Sequence, residues 1–353
     1  MPGSFARRTL EVRVPKILED TVAANRFDAD VLRACLALHL ELTGGRLRGL
    51  VEDTPDRAAW DAACAPHVGA PWLELPWYFA ESFFYRRLLE ATRFFDNGAD
   101  PFLVIKQTEE RAMLPRVLAA RGVDDLDALV RLSLWSNRAD LSYTAGRAFG
   151  DAGDVDDLLV DDRARAVPML QEAHRVAIVL DNAGTELAFD LLLAVHLVRA
   201  GKEVTLHAKE HPYFVSDATI DDVLRTLDLL ELGEGSLELT DEPHWTSSRF
   251  HTRADLPKDL ARALANFDVV IMKGDANYRR LVRDAPWPHE TPVEMAMDFP
   301  APLVALRTCK AEVAVGVPID VVTRARSRDE QWLVSGRFGM IQVAAAPSKP
   351  KGP

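Results

Sequence analysis

The stretch RVAIVLDNAGTELAFDLLLAVHLVRAG, residues 175–201, decides the fold class of this chain. Residues 175–180 form a short, mostly apolar and β-branched run, which is typical of a buried strand. From about Thr185 to Ala200 the apolar residues recur at helical spacing, and Gly201 is a residue type that commonly ends a helix. A strand followed directly by a helix predicts a βαβ unit in a mostly parallel sheet.

Later segments repeat this alternation of strands and helices. The next strand, EVTLHA, ends near Ala208, and the following helix is expected to begin at Asp217 or Ala218. Further strands are predicted at FDVVIM, residues 267–272, at PLVALR, residues 302–307, and around RFGMIQVAA near the C-terminus. The pattern therefore predicts an α/β domain in the second half of the chain.

The first half of the chain has a different pattern. From about residue 10 to residue 150 apolar residues recur at helical spacing, as at Leu32, Leu36 and Leu40. The acidic run DAGDVDDLLVDD, residues 151–162, is typical of a solvated connector. The expected organisation is an N-terminal helical domain at 1–150, an acidic connector at 151–170, an α/β catalytic domain at 171–346 and a disordered tail at 347–353.

Charge and length limit the class of partner. The chain has 353 residues, enough for two domains, and its 54 acidic against 42 basic residues give a formal charge of -12. Such a charge repels nucleic acid and anionic lipid surfaces. We expect a small-molecule partner, with no nucleic acid, no membrane and no obligate protein partner.

Cysteine usage and hydropathy indicate a reducing compartment. Cys35, Cys64 and Cys309 are far apart and form no CxxC pattern, so neither a disulfide framework nor a thiolate zinc site is expected. The N-terminal residues contain no continuous apolar core of signal-peptide length. The most apolar helical stretch is interrupted by Asp190 and His196 and is too short to span a bilayer. We expect a soluble cytoplasmic protein.

Polar residues follow four of the predicted strands. They are DNAGTE at 181–186, KEHPYFVSD at 209–217, KGDANYRR at 273–280 and RTCK at 307–310. In open α/β sheets, ligands bind beyond the carboxyl ends of the strands. We therefore expect these four segments to contribute to one pocket.

The residue types in these segments suggest a cation and a phosphate. Asp181, Asn182 and Asp217 offer only hard oxygen atoms, which suit Mg²⁺ or Mn²⁺. Such a cation can polarise a phosphoryl oxygen and lower the pKa of a bound water. The sequence leaves open which of the two carboxylates acts as base or nucleophile.

Three basic residues follow the later strands. Lys273, Arg307 and Lys310 would supply fixed positive charge to a transferring phosphoryl group. Together with the oxygen ligands they predict phosphoryl transfer to water.

Each of these residues also has a structural explanation. Asp181 with Asn182, and likewise Asp217, could cap a helix or form a turn, because short oxygen-bearing side chains accept hydrogen bonds from free backbone amides. The segment from Lys273 could be an ordinary turn, and RTCK a solvated loop. His207 and His211 lie four residues apart but flank a strand-to-loop junction, so a zinc pair is not expected.

At these residues the sequence resembles the metal-dependent damage-control phosphatases, in the eukaryotic-type branch that has also been proposed to methylate acidic residues of proteins. The resemblance covers almost the whole chain. In the first half it includes PWYFAESFFYRR from Pro76, DPFLVIK from Asp100 and LWSNRADLS from Leu134. The order and spacing of DN, FVSD, KGD.NYR and RT.K in the second half make the match specific.

The resemblance implies a fold, a cofactor and a reaction. The fold is a three-layer α/β/α sandwich with a mostly parallel, Rossmann-like sheet, beside an N-terminal all-helical domain. Asp181, Asn182 and Asp217 correspond to the ligands of one divalent cation, with manganese, cobalt, nickel and magnesium as candidates. The implied activity is hydrolysis of small phosphate esters, sugar phosphates such as fructose 1-phosphate among them.

The resemblance also bears on substrate contacts. Lys310 corresponds to a lysine that contacts substrate phosphate, and Asn137 and Asp140 match a segment bordering the cleft. Thr185 departs from the family pattern, where a larger residue often precedes the glutamate. The residues expected to bind substrate are Glu186, Lys273, Asp275, Asn277, Arg307, Lys310, Asn137 and Asp140.

Two other functions remain open at this point. One is an S-adenosylmethionine-dependent protein carboxyl methyltransferase, although DNAGTE has a single glycine where a dinucleotide-type loop needs several. The other is a non-catalytic sensor that binds a phosphorylated metabolite without turnover.

Overall fold

The computed structural model describes residues 5–136, 157–233 and 235–345. These residues form two compact units. The first unit runs to Arg111 and also contains Lys209–Asp217 and Pro243–Ser248, and the remaining described residues form the second unit. Among the described residues, no helix combines the length and apolar character needed to cross a bilayer.

The first unit is helical. A short π-helical stretch, Thr9–Arg13, joins its first two helices, and its core is rich in aromatic side chains. The helices that begin in this unit are α1 (Phe5–Arg8), α2 (Val14–Ala24), α3 (Ala29–Gly44), α4 (Arg57–Cys64), α5 (Trp77–Ala91), α6 (Phe94–Asn97) and α7 (Leu103–Ala120).

Helix α5 is buried along almost its entire length, including two arginines. Arg86 is 1 % exposed, and its Nε donates to Asp56 Oδ2 at 2.6 Å while Nη2 donates to Thr54 Oγ1 at 2.7 Å. Arg87 donates to both carboxylate oxygens of Glu41. A buried charge is tolerated only when it is paired in this way, so the arginines of the YRR segment act as internal links of the first unit.

The second unit is built on a seven-stranded sheet, counted over the described residues, in the order β1-β7-β6-β5-β2-β3-β4. From β2 to β6 all neighbouring strands are parallel, whereas β7 runs antiparallel to β6 and parallel to β1. The mostly parallel sheet predicted from the sequence is thereby confirmed. The strands are β1 (Leu158–Asp161), β2 (Arg175–Val179), β3 (Glu203–Ala208), β4 (Leu237–Asp241), β5 (Val269–Lys273), β6 (Leu303–Thr308) and β7 (Gly339–Ala344).

Helices cover both faces of this sheet. Alternate strand residues, such as Val176 and Ile178, share one core with the first helices of the second unit, while the intervening residues Ala177 and Val179 are also fully buried. Burial on both faces explains why the central strands are continuous apolar runs. The helices are α8 (Leu126–Trp135), α9 (Arg163–Glu172), α10 (Thr185–Arg199), α11 (Ile220–Leu229), α12 (Lys258–Leu264), α13 (Gly274–Leu281), α14 (Val293–Ala296) and α15 (Ile319–Arg328).

The structure differs from the sequence analysis at the predicted connector, residues 151–170. Its described part contains β1 and most of α9, and both belong to the second unit. Acidic residues there are used structurally, since Asp162 accepts the Val343 amide at 2.9 Å and Asp161 pairs with Arg163. Helix α8, expected in the N-terminal domain, also lies in the second unit and packs against α10.

The start of α11 also differs. The sequence placed it at Asp217 or Ala218, whereas the helix begins at Ile220. Thr219 is the N-cap and forms a reciprocal capping box with Asp222. Asp217 is therefore not the capping residue of this helix.

Candidate functional site

Asp181 and Asn182 directly follow the end of strand β2 and do not cap the next helix. The N-cap of α10 is Gly184, whose φ of 73° has the left-handed sign that glycine tolerates, and no side chain makes a capping bond there. Asp181 is 3 % exposed. The structural explanation of this Asp-Asn pair as a helix cap is thus excluded, which leaves a buried carboxylate that needs another purpose.

Asn182 is oriented by two carboxylates. Its Nδ2 donates to Asp181 Oδ2 at 2.9 Å and to Glu186 Oε2 at 2.8 Å. Because the amide nitrogen points toward these acceptors, the amide oxygen lies on the opposite branch of the side chain. A carboxylate and an amide oxygen at one strand end are the donor types that hard divalent cations prefer.

Gly274, the first residue after β5, makes room for the Asp181 carboxylate. It has a φ of +80°, and a Cβ on this residue would lie 1.8 Å from Asp181 Oδ2. Since β5 is the direct neighbour of β2 in the sheet, the Asp181 carboxylate lies against bare backbone. Only glycine satisfies both the backbone conformation and the close approach.

Hydrogen bonds from other segments fix the backbone beneath Asp181. The Ala218 amide donates to the Asp181 carbonyl oxygen at 2.9 Å. Asn277, which is 1 % exposed, donates from Nδ2 to the carbonyl oxygens of Leu180 at 3.1 Å and Lys273 at 2.9 Å. Asn277 therefore ties the ends of β2 and β5 together.

Lys273 lies at the centre of a buried ionic cluster. Its Nζ is 3.0 Å from Asp190 Oδ1 and 3.5 Å from Glu186 Oε1. The same ammonium donates to the carbonyl oxygen of Ser133 at 2.6 Å and to its Oγ at 2.8 Å. Ser133 is in the last turn of α8, so Lys273 satisfies one of the carbonyls that the helix leaves open. Its expected contact with substrate phosphate stays a prediction.

The cluster shifts the protonation of its members. Burial raises the pKa of Asp190 to about 7, against the opposing effect of the Lys273 ammonium. Burial would lower the pKa of Lys273, but Asp190 and Glu186 more than offset it, so the pKa is raised. Asp181, Glu186 and Asp190 together outnumber this one lysine, which makes the end of β2 favourable for a cation.

Arg307, Asp275 and Lys310 form a second linked group. The Nε of Arg307 donates to Asp275 Oδ1 at 2.7 Å, and its terminal nitrogens donate to the carbonyl oxygens of Ala311 and Val313. The backbone amide of Lys310 donates to the same Asp275 oxygen at 3.0 Å. Arg307 thus holds the RTCK loop in place and is fully buried, whereas Lys310 is half-buried.

Asp217 lies in the first unit, at the end of the segment that begins with Lys209. It is 1 % exposed, and its Oδ2 is 3.9 Å from the Nζ of Lys209, which is 2 % exposed. The segment is held by Tyr213, whose hydroxyl donates to the carbonyl oxygen of Ser247 at 2.8 Å. The sequence analysis missed Lys209, although it follows β3 just as Lys273 ends β5.

Two predicted site residues, Asn137 and Asp140, lie outside the described residues. Within the described part of the chain, no group of three or more His, Cys, Asp or Glu side chains is arranged to hold a metal. The predicted ligand set contains only two residues of these types, because its third member is the amide of Asn182.

His207, at the end of β3, and His211, in the first unit, are both buried. Burial lowers the pKa of each to about 4. We expect the neutral forms to stabilise the folded protein above pH 6.5 and this contribution to disappear as the pH falls from 6.5 to 4, since the unfolded chain then binds the protons. The loss is on the order of 3 kcal/mol per histidine.

Urea unfolding at several pH values measures this effect. His211→Gln should unfold with a pH dependence that is shallower by about one proton between pH 6.5 and 4. An identical pH dependence in the variant and the wild type would show that burial of this histidine does not control acid unfolding.

Comparison with known proteins places the chain in a family. Residues 9–324 match the damage-control phosphatase ARMT1-like domain. The proteins named Damage-control phosphatase ARMT1 from Danio rerio and Homo sapiens are 27 % and 29 % identical to this chain, covering 97 % and 96 % of it and 95 % and 96 % of their own length. The crystal structure of a DUF89 family protein from Pyrococcus horikoshii shares the fold, with a TM-score of 0.56 and 17 % identity over 97 % of this chain and 99 % of that one. The chain therefore belongs to the damage-control phosphatase ARMT1-like family.

Proposed function

We propose that this protein is a metal-dependent phosphatase that hydrolyses small phosphate esters, with sugar phosphates as the substrate class. One divalent cation, with Mn²⁺, Co²⁺, Ni²⁺ and Mg²⁺ as candidates, would be held by Asp181, Asn182 and Asp217. The names of the relatives support a phosphatase, and the residues at the strand ends support the cation.

The observation that carries the proposal is the fit between Asp181 and Gly274. A carboxylate that is 3 % exposed, placed against a glycine with no room for a Cβ, is costly unless its charge has a use. Asn182 is not a helix cap, and two carboxylates orient its side chain. These features are typical of a pre-formed cation site and are not needed by a turn or a cap.

Each group of the chain would have a distinct task. A bound cation would supply Lewis acidity toward the phosphoryl oxygen and lower the pKa of a water. Lys310, on the loop held by Arg307, would contact the substrate phosphate. Glu186 would keep Asn182 oriented, and Asp181 or Asp217 would accept the proton of the attacking water.

Metal add-back to stripped protein tests this proposal. We expect chelator-treated protein to release no phosphate from a panel of sugar phosphates, and Mn²⁺, Co²⁺, Ni²⁺ or Mg²⁺ to restore release. The reason is that the developing charge on the phosphoryl group would otherwise lack its main stabilising partner. Colorimetric phosphate determination ranks both metals and substrates.

Asp217→Ala, purified in parallel, shows whether the release originates from this protein, since the variant should stay at background with every metal. Full release by the chelator-treated protein, or the absence of release with every metal and substrate, would contradict the proposal. In the second case, calorimetry with S-adenosylmethionine would decide whether the methyltransferase alternative deserves further work.

A further inference from the structure

We propose that Lys209 is a further substrate-binding residue, whose ammonium contacts the phosphate of the ester beside Asp217. The inference rests on the proposed function and adds a residue that neither the motifs nor the comparisons assign. It follows from three observations on the buried cations of the strand ends.

The first observation concerns the cations that the sequence analysis favoured. An ammonium has three donors, and those of Lys273 have Ser133 O, Ser133 Oγ and Asp190 within hydrogen-bond distance. Arg307 directs its guanidinium to Asp275 and to the two carbonyls of its own loop. Both residues are thus committed to internal partners and are poorly placed to receive a substrate.

The second observation is the contact between Lys209 and Asp217. The Nζ–Oδ2 distance of 3.9 Å exceeds the range of a hydrogen bond, so this pair is held by Coulomb attraction alone. Both side chains are almost completely buried, which makes this attraction stronger than it would be in water. Lys209 can therefore move toward an anion without breaking a hydrogen bond to Asp217.

The third observation is the distance scale of a shared cation. Mg²⁺-like cations hold their oxygen ligands at about 2.1 Å, so a phosphate oxygen on the cation of Asp217 would lie about 3 Å from the carboxylate. Lys209 would then have the phosphate within reach of its flexible four-carbon side chain. A compact ammonium beside a metal-bound phosphate is well suited to neutralise the second charge of a monoester.

Calorimetric titration of inorganic phosphate into Mn²⁺-loaded protein tests this role. We expect Lys209→Met to bind phosphate at least about 10-fold more weakly than the wild type, while its Mn²⁺ affinity stays within about 3-fold or becomes tighter. Lys209→Gln, which keeps a polar end without the charge, should show the same loss. Lys258→Met, at an exposed lysine of α12, is the matched control and should match the wild type in both titrations.

The outcomes separate the two proposals. Phosphate affinity of both Lys209 variants within about 2-fold of the wild type would overturn the inference, as would a parallel loss of Mn²⁺ and phosphate affinity, which indicates a structural role. A wild-type protein that binds no Mn²⁺ would refute the proposed function first. Wild-type Mn²⁺ binding and phosphate release, combined with unchanged Lys209 variants, would refute only the role of Lys209.

Discussion

Gly274→Ala should reduce metal-dependent phosphate release to background and weaken Mn²⁺ binding by roughly 100-fold or more. The new Cβ would lie 1.8 Å from Oδ2, 2.3 Å from Cγ and 2.6 Å from Cβ of Asp181. Rotating the carboxylate does not relieve the contact with the Asp181 Cβ, so the backbone at the end of β2 must move. That backbone is held by the hydrogen bond from Ala218, and its movement would displace the carboxylate from the cation.

A second glycine separates this clash from ordinary backbone strain. Gly201 has a φ of +83°, close to the +80° of Gly274, yet a Cβ there would have no atom within 4 Å. Gly201→Ala should therefore cost only the left-handed strain, about 1 to 2 kcal/mol, and retain Mn²⁺ affinity and activity. Equal Mn²⁺ affinity and activity in the two variants would show that the approach of Gly274 to Asp181 has no functional role.

The sequence predicted the parts of this molecule that depend on local pattern. The apolar runs of β2, β3, β5, β6 and β7 are strands because they are buried on both faces and carry continuous apolar sequence. The strand β4, LELTD, escaped notice because an edge strand with half-exposed, alternating polar residues looks like a loop. The acidic residues around β1 likewise concealed a strand and a helix within a predicted connector.

The site was predictable in its membership but not in its contacts. The position of Asp181 at a strand end follows from the local pattern, whereas the need for glycine at 274 depends on β5 lying next to β2. The role of Lys273 depends on Ser133, which is 140 residues earlier in the chain. Such pairings are set by sheet order and helix packing, and a single sequence carries no direct record of them.

Lys273→Met should lower the free energy of unfolding by about 3 to 5 kcal/mol, measured by urea denaturation near pH 8. The substitution would leave Asp190 and Glu186, which are 1 % and 3 % exposed, without the cation that compensates their charges. It would also remove the donor to the carbonyl of Ser133 in the last turn of α8. Methionine fills a similar volume, so the loss reports the charge and the hydrogen bonds more than a cavity.

Two comparisons make this prediction specific to the cluster. The double variant Lys273→Met/Asp190→Asn should recover part of the lost stability, because it removes one of the two buried charges that the single variant leaves uncompensated. Lys16→Met, at an exposed lysine paired with Asp20, should unfold like the wild type, since exposed ion pairs contribute little. A Lys273→Met protein within about 1 kcal/mol of the wild type would mean that the carboxylates are neutral or reached by water. The excess negative charge that favours a cation at the end of β2 would then be absent, and the electrostatic part of the argument for the metal site would fail with it.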